Sequence, residues 1–271
     1  MTTKDLNEQL IVLAKINAQG VLRLTLNNPA RRNALSEAML GQLHLAITNA
    51  ADDPLVRVVV LVANGSVFCA GHDLKELTQG RKDSDKGRAY FTKIMLLCST
   101  LMQAIVNNPK PIIAEVAGVA TAAGCQLVAS CDLAYAAENA LFSTPGVNIG
   151  LFCSTPMVAL SRNVTNKHAM EMLLTGDMIG AQRAAEIGLI NAVTTVDELT
   201  SRTMEVATKI AAKSSDTLAI GKRAFYGQGS MSLPDAYTFA AEVMVKNMLT
   251  EDAQEGINAF IEKRLPTWSD Q

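Results

Sequence analysis

The sequence has almost no excess of charge of either sign. It carries 24 Lys and Arg against 26 Asp and Glu over 271 residues, a formal net charge of −2. Nucleic acid is a poor candidate for the main partner, because no basic field is available to follow a polyphosphate backbone. Any site for an anion must therefore be local.

Disulfide and metal-binding patterns are also missing. The five cysteines have no C-x-x-C or His-rich spacing, and an odd number fits reduced thiols better than a disulfide framework. We expect no metal site, and we expect a cytoplasmic location. The cysteines are Cys69, Cys98, Cys125, Cys131 and Cys153.

Long apolar runs are a third absence. We find no span of about 18 consecutive apolar residues, which is the length that crosses a membrane. Residues 1–10 include Lys4, Asp5 and Glu8 and have no apolar region of the kind that signal peptides contain. We therefore expect a protein that is neither secreted nor membrane-spanning and has no membrane partner.

The hydrophobic residues, 49% of the chain, form short strand-like runs that alternate with helical patterns. A hairpin over 10–15 and 20–26 is followed by a helix over 36–51, with Ser36 placed to cap it. Alternation of this kind indicates an α/β fold with a largely parallel sheet, and after residue 155 helices dominate. Further strands are predicted at 56–63, 111–116 and 133–137, and further helices at 87–106, 124–130, 169–174, 181–187, 199–212, 217–226 and 234–262.

Small residues follow three of the predicted strands, where ligands collect in open α/β sheets. They are Ala70-Gly71, residues 120–124 and Pro145-Gly146. The second group runs into a helix, whose free N–H groups favour negative charge. One N–H from that helix and one from the turn at Gly71 and His72 could meet at one oxygen and form an oxyanion hole.

The residues of these turns and several other motifs resemble the enoyl-CoA hydratase/isomerase (crotonase) superfamily over nearly the whole chain. The resemblance is carried by Asn28-Pro29, Asn33-Ala34-Leu35, Phe68 to Glu76, Lys110 to Ala114 with Gly118, Gly124 to Leu127, Cys131-Asp132, Phe142 with Pro145 and Gly150, Leu174 to Gly176, Ala181 to Leu189, and Glu255 to Arg264.

The resemblance implies the crotonase (ClpP-like) fold, an α/β spiral of repeated ββα units. Residues 1–195 would form the spiral core with the acyl-CoA site. Residues 196–271 would form a helical region that packs subunits into a homotrimer or, by stacking, a homohexamer. It also implies lyase-type chemistry of fatty acid metabolism, with the coenzyme A thioester as substrate and no permanently bound cofactor.

By the same resemblance, two backbone N–H groups, those of His72 and Ala123, stabilise the thioester enolate. The coenzyme would lie along Ala70, Asp73, Leu74 and Lys75, and Lys263 of a neighbouring subunit would reach a phosphate. Residues 121–124 read TAAG where the family commonly has GGG. Alanine fits at the second donor if its φ is negative.

The chain departs from the family at both acid–base positions. Family hydratases use two glutamates, and the matching residues here are Gln126 and Gly146. A carboxamide exchanges no proton near neutral pH, and glycine has no side chain. We therefore expect an acyl-CoA-processing enzyme that lacks efficient hydration and isomerisation by the glutamate route.

Two alternatives remain open. One is a catalytically silent acyl-CoA binder. The other is a malonyl-type CoA decarboxylase that uses the His72 imidazole, since Gly71-His72-Asp73 also resembles the methylmalonyl-CoA decarboxylase branch. That branch also relies on a tyrosine, near whose position this chain has Cys153.

Three further side chains are candidates for proton or group transfer. Glu115 is either a proton carrier or a paired structural carboxylate. Cys125 and Cys153 fall near the expected pocket, but no histidine motif accompanies them to activate a thiol. Asp73 is expected to cap or fix its turn.

Overall fold

The strands form two sheets. We use a computed structural model that describes residues 10–269. Within that range the strands are β1 Val12–Ile16, β2 Val21–Leu26, β3 Val58–Ala63, β4 Val67–Cys69, β5 Ile112–Val116, β6 Val119–Thr121, β7 Leu133–Ala137, β8 Leu141–Ser143, β9 Ile179–Gly180 and β10 Ala192–Thr194. One sheet has the order β1-β2-β3-β5-β7-β10, and the other has the order β4-β6-β8-β9.

The helices of the described residues follow the strands and then dominate the second half of the chain. They are α1 Glu37–Asp52, α2 Leu74–Gly80, α3 Arg88–Asn107, α4 Ala123–Ser130, α5 Pro156–Leu160, α6 Asn166–Thr175, α7 Ala181–Glu186, α8 Leu199–Ala211, α9 Ser215–Gln228, α10 Leu233–Met248 and α11 Glu251–Glu262. Two 3-10 turns span Pro29–Arg31 and Pro145–Ile149.

A repeated unit explains why there are two sheets. A strand of the large sheet is followed at once by a short strand of the small sheet, and then by a helix: β3-β4-α2, then β5-β6-α4. Apart from the β1–β2 hairpin and the β8–β9 pair, the strand pairs are parallel. The repeat brings the ends of β4, β6 and β8 to one place, and the three groups of small residues lie there.

Strand alternation divides the core. Leu24, Val59 and Leu61 belong to the main cluster beneath α1 and α3, whereas Val58 and Val60 face α8 on the other side of the large sheet. Because β3 is buried on both faces, it reads as an unbroken aliphatic run.

The predicted elements agree with the structure at most positions. Helix α1 begins where predicted, and the Ser36 hydroxyl accepts the Met39 N–H at 3.2 Å. The predicted helix over 234–262 is wrong as one element. It is broken at Leu249 and Thr250, and the Thr250 hydroxyl caps α11 by accepting the Ala253 N–H at 3.2 Å.

Helix α3 qualifies the prediction that no long apolar span exists. It is long and apolar enough to cross a membrane by length and composition alone, with a mean hydropathy of 1.5. The core helices of globular proteins can have the same length and composition. Helix α3 buries Ile94, Cys98 and Leu101 in the main cluster. The prediction about residues 1–9 lies outside the described residues.

Polar contacts hold α9 against the core. The Lys222 ammonium, which is largely buried, donates to Asp132 Oδ2 at 2.7 Å and to the carbonyl oxygens of Ile105 and Lys110. Burial lowers the pKa of Lys222, and Asp132 opposes that shift. The Tyr226 hydroxyl donates to the second Asp132 oxygen at 2.9 Å. Within the described chain, no apolar side chain of α9 or α10 is fully buried.

Candidate active site

The first candidate N–H lies at the end of β4. The Leu35 N–H donates to the Gly71 carbonyl at 2.8 Å, and the Asp73 N–H donates to the Leu35 carbonyl at 3.4 Å. In an extended segment, neighbouring N–H groups point to opposite sides. The His72 N–H therefore points away from Leu35, and among residues 10–269 it has no protein acceptor.

The second candidate N–H belongs to Ala123, the first residue of α4. The first N–H groups of a helix have no intrahelical acceptor, and that of Ala123 has none elsewhere in the described chain. Ala122, just before it, has φ 50° and ψ −120° and donates its N–H to the Ser143 carbonyl at 2.9 Å. The strained position is therefore Ala122, at about 1–3 kcal/mol, while Ala123 is helical.

Gly71 brings the two turns together. Its φ is +84°, and a Cβ built on it would lie 3.2 Å from the Ala123 nitrogen and 2.9 Å from the Ala122 Cβ. Only glycine leaves this contact free. The free N–H of Ala123 thus lies against the turn that carries the free N–H of His72.

Gly124 sets the distance between α4 and β4. A Cβ there would lie 2.1 Å from the Cys69 carbonyl oxygen. The backbones of the strand and the helix therefore touch directly. This contact sets the separation of the two turns.

Gln126 lies one helical turn beyond Ala123. Its side chain is buried, with 5% of the residue exposed, and its Oε1 has no hydrogen-bond partner within the described chain. The Ser130 hydroxyl bonds the Gln126 main-chain oxygen at 2.8 Å, not the carboxamide. Buried polar atoms without partners are uncommon in native proteins, so this oxygen calls for a ligand or a water molecule.

Gly146 has no room for a side chain. A Cβ at this position would lie 2.7 Å from the Leu151 carbonyl oxygen and 2.9 Å from the Cys153 sulfur. The Gly146 N–H donates to that sulfur at 3.3 Å. Residues 151–153 thus fill the space that a side chain at position 146 would enter.

The His72 imidazole is neutral near pH 7. Burial lowers its pKa to about 4, and its Nε2 has no partner within residues 10–269. An imidazole in this state can donate or accept a hydrogen bond but carries no charge to hold a carboxylate.

This pKa predicts a pH dependence of stability. The folded value, about 4, lies below the ordinary value of 6.5, so the unfolded chain takes up the proton first. Stability from this residue is complete above pH 6.5 and falls by up to about 3 kcal/mol as the pH drops towards 4. In urea titrations, His72→Gln should flatten the pH dependence over that window. Equal slopes in both proteins would contradict it.

The predicted coenzyme contacts lie near the turn, with one exception. Asp73 is buried; its Oδ1 caps α2 by accepting the Lys75 N–H at 2.9 Å, and its Oδ2 pairs with Arg31 at 2.8 Å. This confirms that Asp73 fixes the turn. Ala70 is partly exposed, and Leu74 and Lys75 are exposed. Lys263 is exposed at the end of α11, in the left-handed conformation with φ 57°.

Glu115 is a paired carboxylate. Both its oxygens accept from Arg23 at 2.8 Å, and the Thr200 hydroxyl donates to Oε1 at 2.8 Å. These partners lie on β2 and α8, so Glu115 is engaged on the α8 side of the sheet. Burial raises the pKa of Cys125 to about 12 and also raises that of Cys153, which leaves both as thiols.

Three residues at the candidate site were not identified from the sequence. Arg31, the last residue of the first 3-10 turn, pairs with Asp73, and the buried hydroxyls of Ser143 and Thr144 have no partner within the described chain. For Ser143, which ends β8, and Thr144, which follows it, this place in the chain is the sequence signal, since β8 ends beside the turn at Ala122.

Both the sequence and the fold match known proteins. The sequence pattern described as Enoyl-CoA hydratase/isomerase matches residues 16–271. The chain belongs to the enoyl-CoA hydratase/isomerase family. The structure also has the crotonase fold, as predicted, because it superimposes on a Mycobacterium smegmatis enoyl-CoA hydratase crystal structure. The TM-score is 0.91, with 48% identity over 95% of this chain and 98% of that one.

Two relatives share the name "Enoyl-CoA hydratase domain-containing protein 3, mitochondrial". The Mus musculus protein is 50% identical over 250 residues, covering 92% of this chain and 82% of its own length. The Homo sapiens protein is 48% identical over 250 residues, covering 92% and 81%. These names overturn the predicted cytoplasmic location and point to mitochondria. Unpaired thiols indicate reducing surroundings and do not distinguish one reducing compartment from another.

Proposed function

We propose that this family member binds acyl-CoA thioesters and stabilises their enolates with the N–H groups of His72 and Ala123. The observation that carries the proposal is the close packing of the two turns. A Cβ built on Gly71 would lie 3.2 Å from the Ala123 nitrogen. Donors fixed before the reaction stabilise developing charge without reorganising. The coenzyme is the substrate, and no resident cofactor or metal takes part.

Hydration by two glutamates is not part of this proposal. The Gln126 carboxamide does not gain or lose a proton near neutral pH, and Gly146 is packed against Leu151 and Cys153. These same two positions favour a second candidate function, an acyl-CoA binder without turnover. Decarboxylation through His72 is less well supported, because the neutral imidazole offers no charge to a malonyl-type carboxylate.

The coenzyme portion would cross the surface at Ala70, Leu74 and Lys75, with Asp73 shaping the turn. Lys75 is exposed and would meet a phosphate as a point charge. Lys263 would do so from a neighbouring subunit.

Residues 1–195 would form the core that holds the site. Residues 196–271 would form a separate region that packs subunits into a homotrimer or homohexamer. Support comes from the exposed apolar side chains of α9 to α11 and the segment after them, since monomers rarely expose large apolar patches. A groove between α9 and α10 is lined by Phe225, Leu233 and Tyr237. Others in this region include Met244, Leu249, Phe260 and Leu265.

Calorimetry tests the binding proposal. Butyryl-CoA should bind, and Lys75→Ala should weaken binding about 2- to 5-fold, as expected for an exposed charge pair. Lys209→Ala is the matched control, since Lys209 is exposed on α8, across the large sheet from the turn. Absence of binding by butyryl-CoA and by longer acyl-CoAs would contradict the proposal.

A further inference from the structure

We propose that Ala122 and Ala123 lock the peptide group between them in one orientation, the one that presents the Ala123 N–H to the thioester oxygen. This inference rests on the proposed function, because it names the residues that position one of the two donors. Ala122 and Ala123 act here through their backbone angles and their methyl groups, as positioning residues.

The strain at Ala122 is the first observation. Its φ of 50° and ψ of −120° lie outside the regions that residues with a side chain normally occupy. Two hydrogen bonds keep this conformation. The Ala122 N–H donates to the Ser143 carbonyl at 2.9 Å, and the Gln126 N–H donates to the Ala122 carbonyl at 3.0 Å. The peptide group after Ala122 is therefore held in an orientation that this residue disfavours.

A half-turn rotation of that peptide group would relieve the strain. Such a flip changes ψ of the preceding residue and φ of the following residue by about 180°, much as type I and type II turns differ. The ψ of Ala122 would change from −120° to about 60°, which places the residue in the small left-handed region that L-residues can enter. The flip would also turn the Ala123 N–H away and put the Ala122 carbonyl oxygen in its place.

Ala123 prevents this flip. It is the first residue of α4, and the same rotation would carry a helical φ of about −63° to about +117°. Glycine adopts positive φ readily, whereas the Cβ of alanine then clashes with the backbone. The Ala123 methyl group therefore locks the peptide group, and Ala122 bears the resulting strain.

The two positions are coupled as a consequence. With glycine at position 123 alone, relaxation of Ala122 favours the flipped peptide group, and the apparent affinity falls with the fraction that stays unflipped. With glycine at both positions, residue 122 keeps its present angles without strain, because glycine populates positive φ about as readily as negative φ. The second substitution should therefore repair the loss that the first one causes.

Calorimetry with butyryl-CoA on the whole protein tests this coupling. Ala123→Gly should weaken binding by about 3- to 10-fold, and the double variant Ala122→Gly with Ala123→Gly should bind within about 2-fold of the wild type. Ala46→Gly is the matched control for the loss of a methyl group. Ala46 is partly buried on α1 and lines a groove beside β1, so its replacement should leave the affinity unchanged.

Urea denaturation gives a second readout. Ala122→Gly should raise the denaturation midpoint because it removes strain, whereas Ala46→Gly should lower it, as glycine does inside a helix. A loss of packing at Ala122 without strain would instead lower both midpoints.

Wild-type affinity in Ala123→Gly would overturn the inference and leave the proposed function intact, and so would a double variant that binds as weakly as Ala123→Gly. A lowered midpoint in Ala122→Gly would overturn it as well. Should Ala123→Gly fail to fold, the midpoints of Ala122→Gly and Ala46→Gly still decide. Absence of butyryl-CoA binding by the wild type would overturn the proposed function itself.

Discussion

Hydration of crotonyl-CoA by this protein is expected to be at least about 10⁴-fold slower than by a family hydratase that has both glutamates. Each acid–base group contributes about 10²–10⁴ in rate, and neither group is present here. Positioning and the two N–H donors remain, but they do not deliver a proton. The loss of crotonyl-CoA absorbance at fixed enzyme concentration measures the rate.

Restoring one carboxylate sharpens this prediction. Gln126→Glu should raise the hydration rate by about 10²-fold, and Gln126→Leu should not raise it. Gly146→Glu should restore nothing, since the Leu151 carbonyl and the Cys153 sulfur occupy the space beside the Gly146 backbone. Wild-type turnover close to that of an ordinary hydratase would show that the site works without its glutamates.

Gly124→Ala is expected to damage both the stability of the fold and its thioester site. The new methyl group would lie 2.1 Å from the Cys69 carbonyl oxygen, a backbone atom that cannot turn aside. Overpacking of this kind costs about 1–3 kcal/mol of unfolding free energy, and we expect the upper part of that range. Moving α4 away from β4 also separates the two N–H donors. Loss of one such donor typically lowers the catalytic rate of an enzyme by about 10²–10³-fold.

Gly41→Ala provides the matched control for this substitution. Gly41 lies inside α1, and a Cβ there would meet no atom within 4 Å. Removing a helical glycine should stabilise the protein by about 0.5–1 kcal/mol. Urea denaturation of both variants gives the comparison. Equal stability of Gly124→Ala and the wild type would contradict the direct contact between strand and helix.

The fold was predictable wherever an element was long enough to show its period. The five buried residues of α1 recur at helical spacing, and β3 is a continuous aliphatic run. The small sheet was not predicted, because strands of two or three residues are too short to show alternation. The break at Thr250 was missed because its capping hydroxyl lies within a continuous helical pattern.

The site was predictable only as far as backbone geometry follows from local sequence. Small residues after strands marked the turns of His72 and Ala123, but their approach depends on pairing between β4 and β6, which no local pattern contains. The sequence analysis considered φ only at Ala123, which is helical, and did not identify the positive φ of Ala122, since φ is invisible in the sequence. The packing of Cys153 against Gly146 depends on a loop that returns five to seven residues later.

The central claim is that the thioester oxygen lies between the N–H groups of His72 and Ala123. Infrared difference spectroscopy of bound butyryl-CoA, labelled with ¹³C at the thioester carbonyl, tests it most directly. Two donors should shift the carbonyl stretch of the bound thioester to lower frequency than in water, and Gly124→Ala should diminish that shift. A carbonyl frequency at or above the value in water, with the ligand fully bound, would contradict the account.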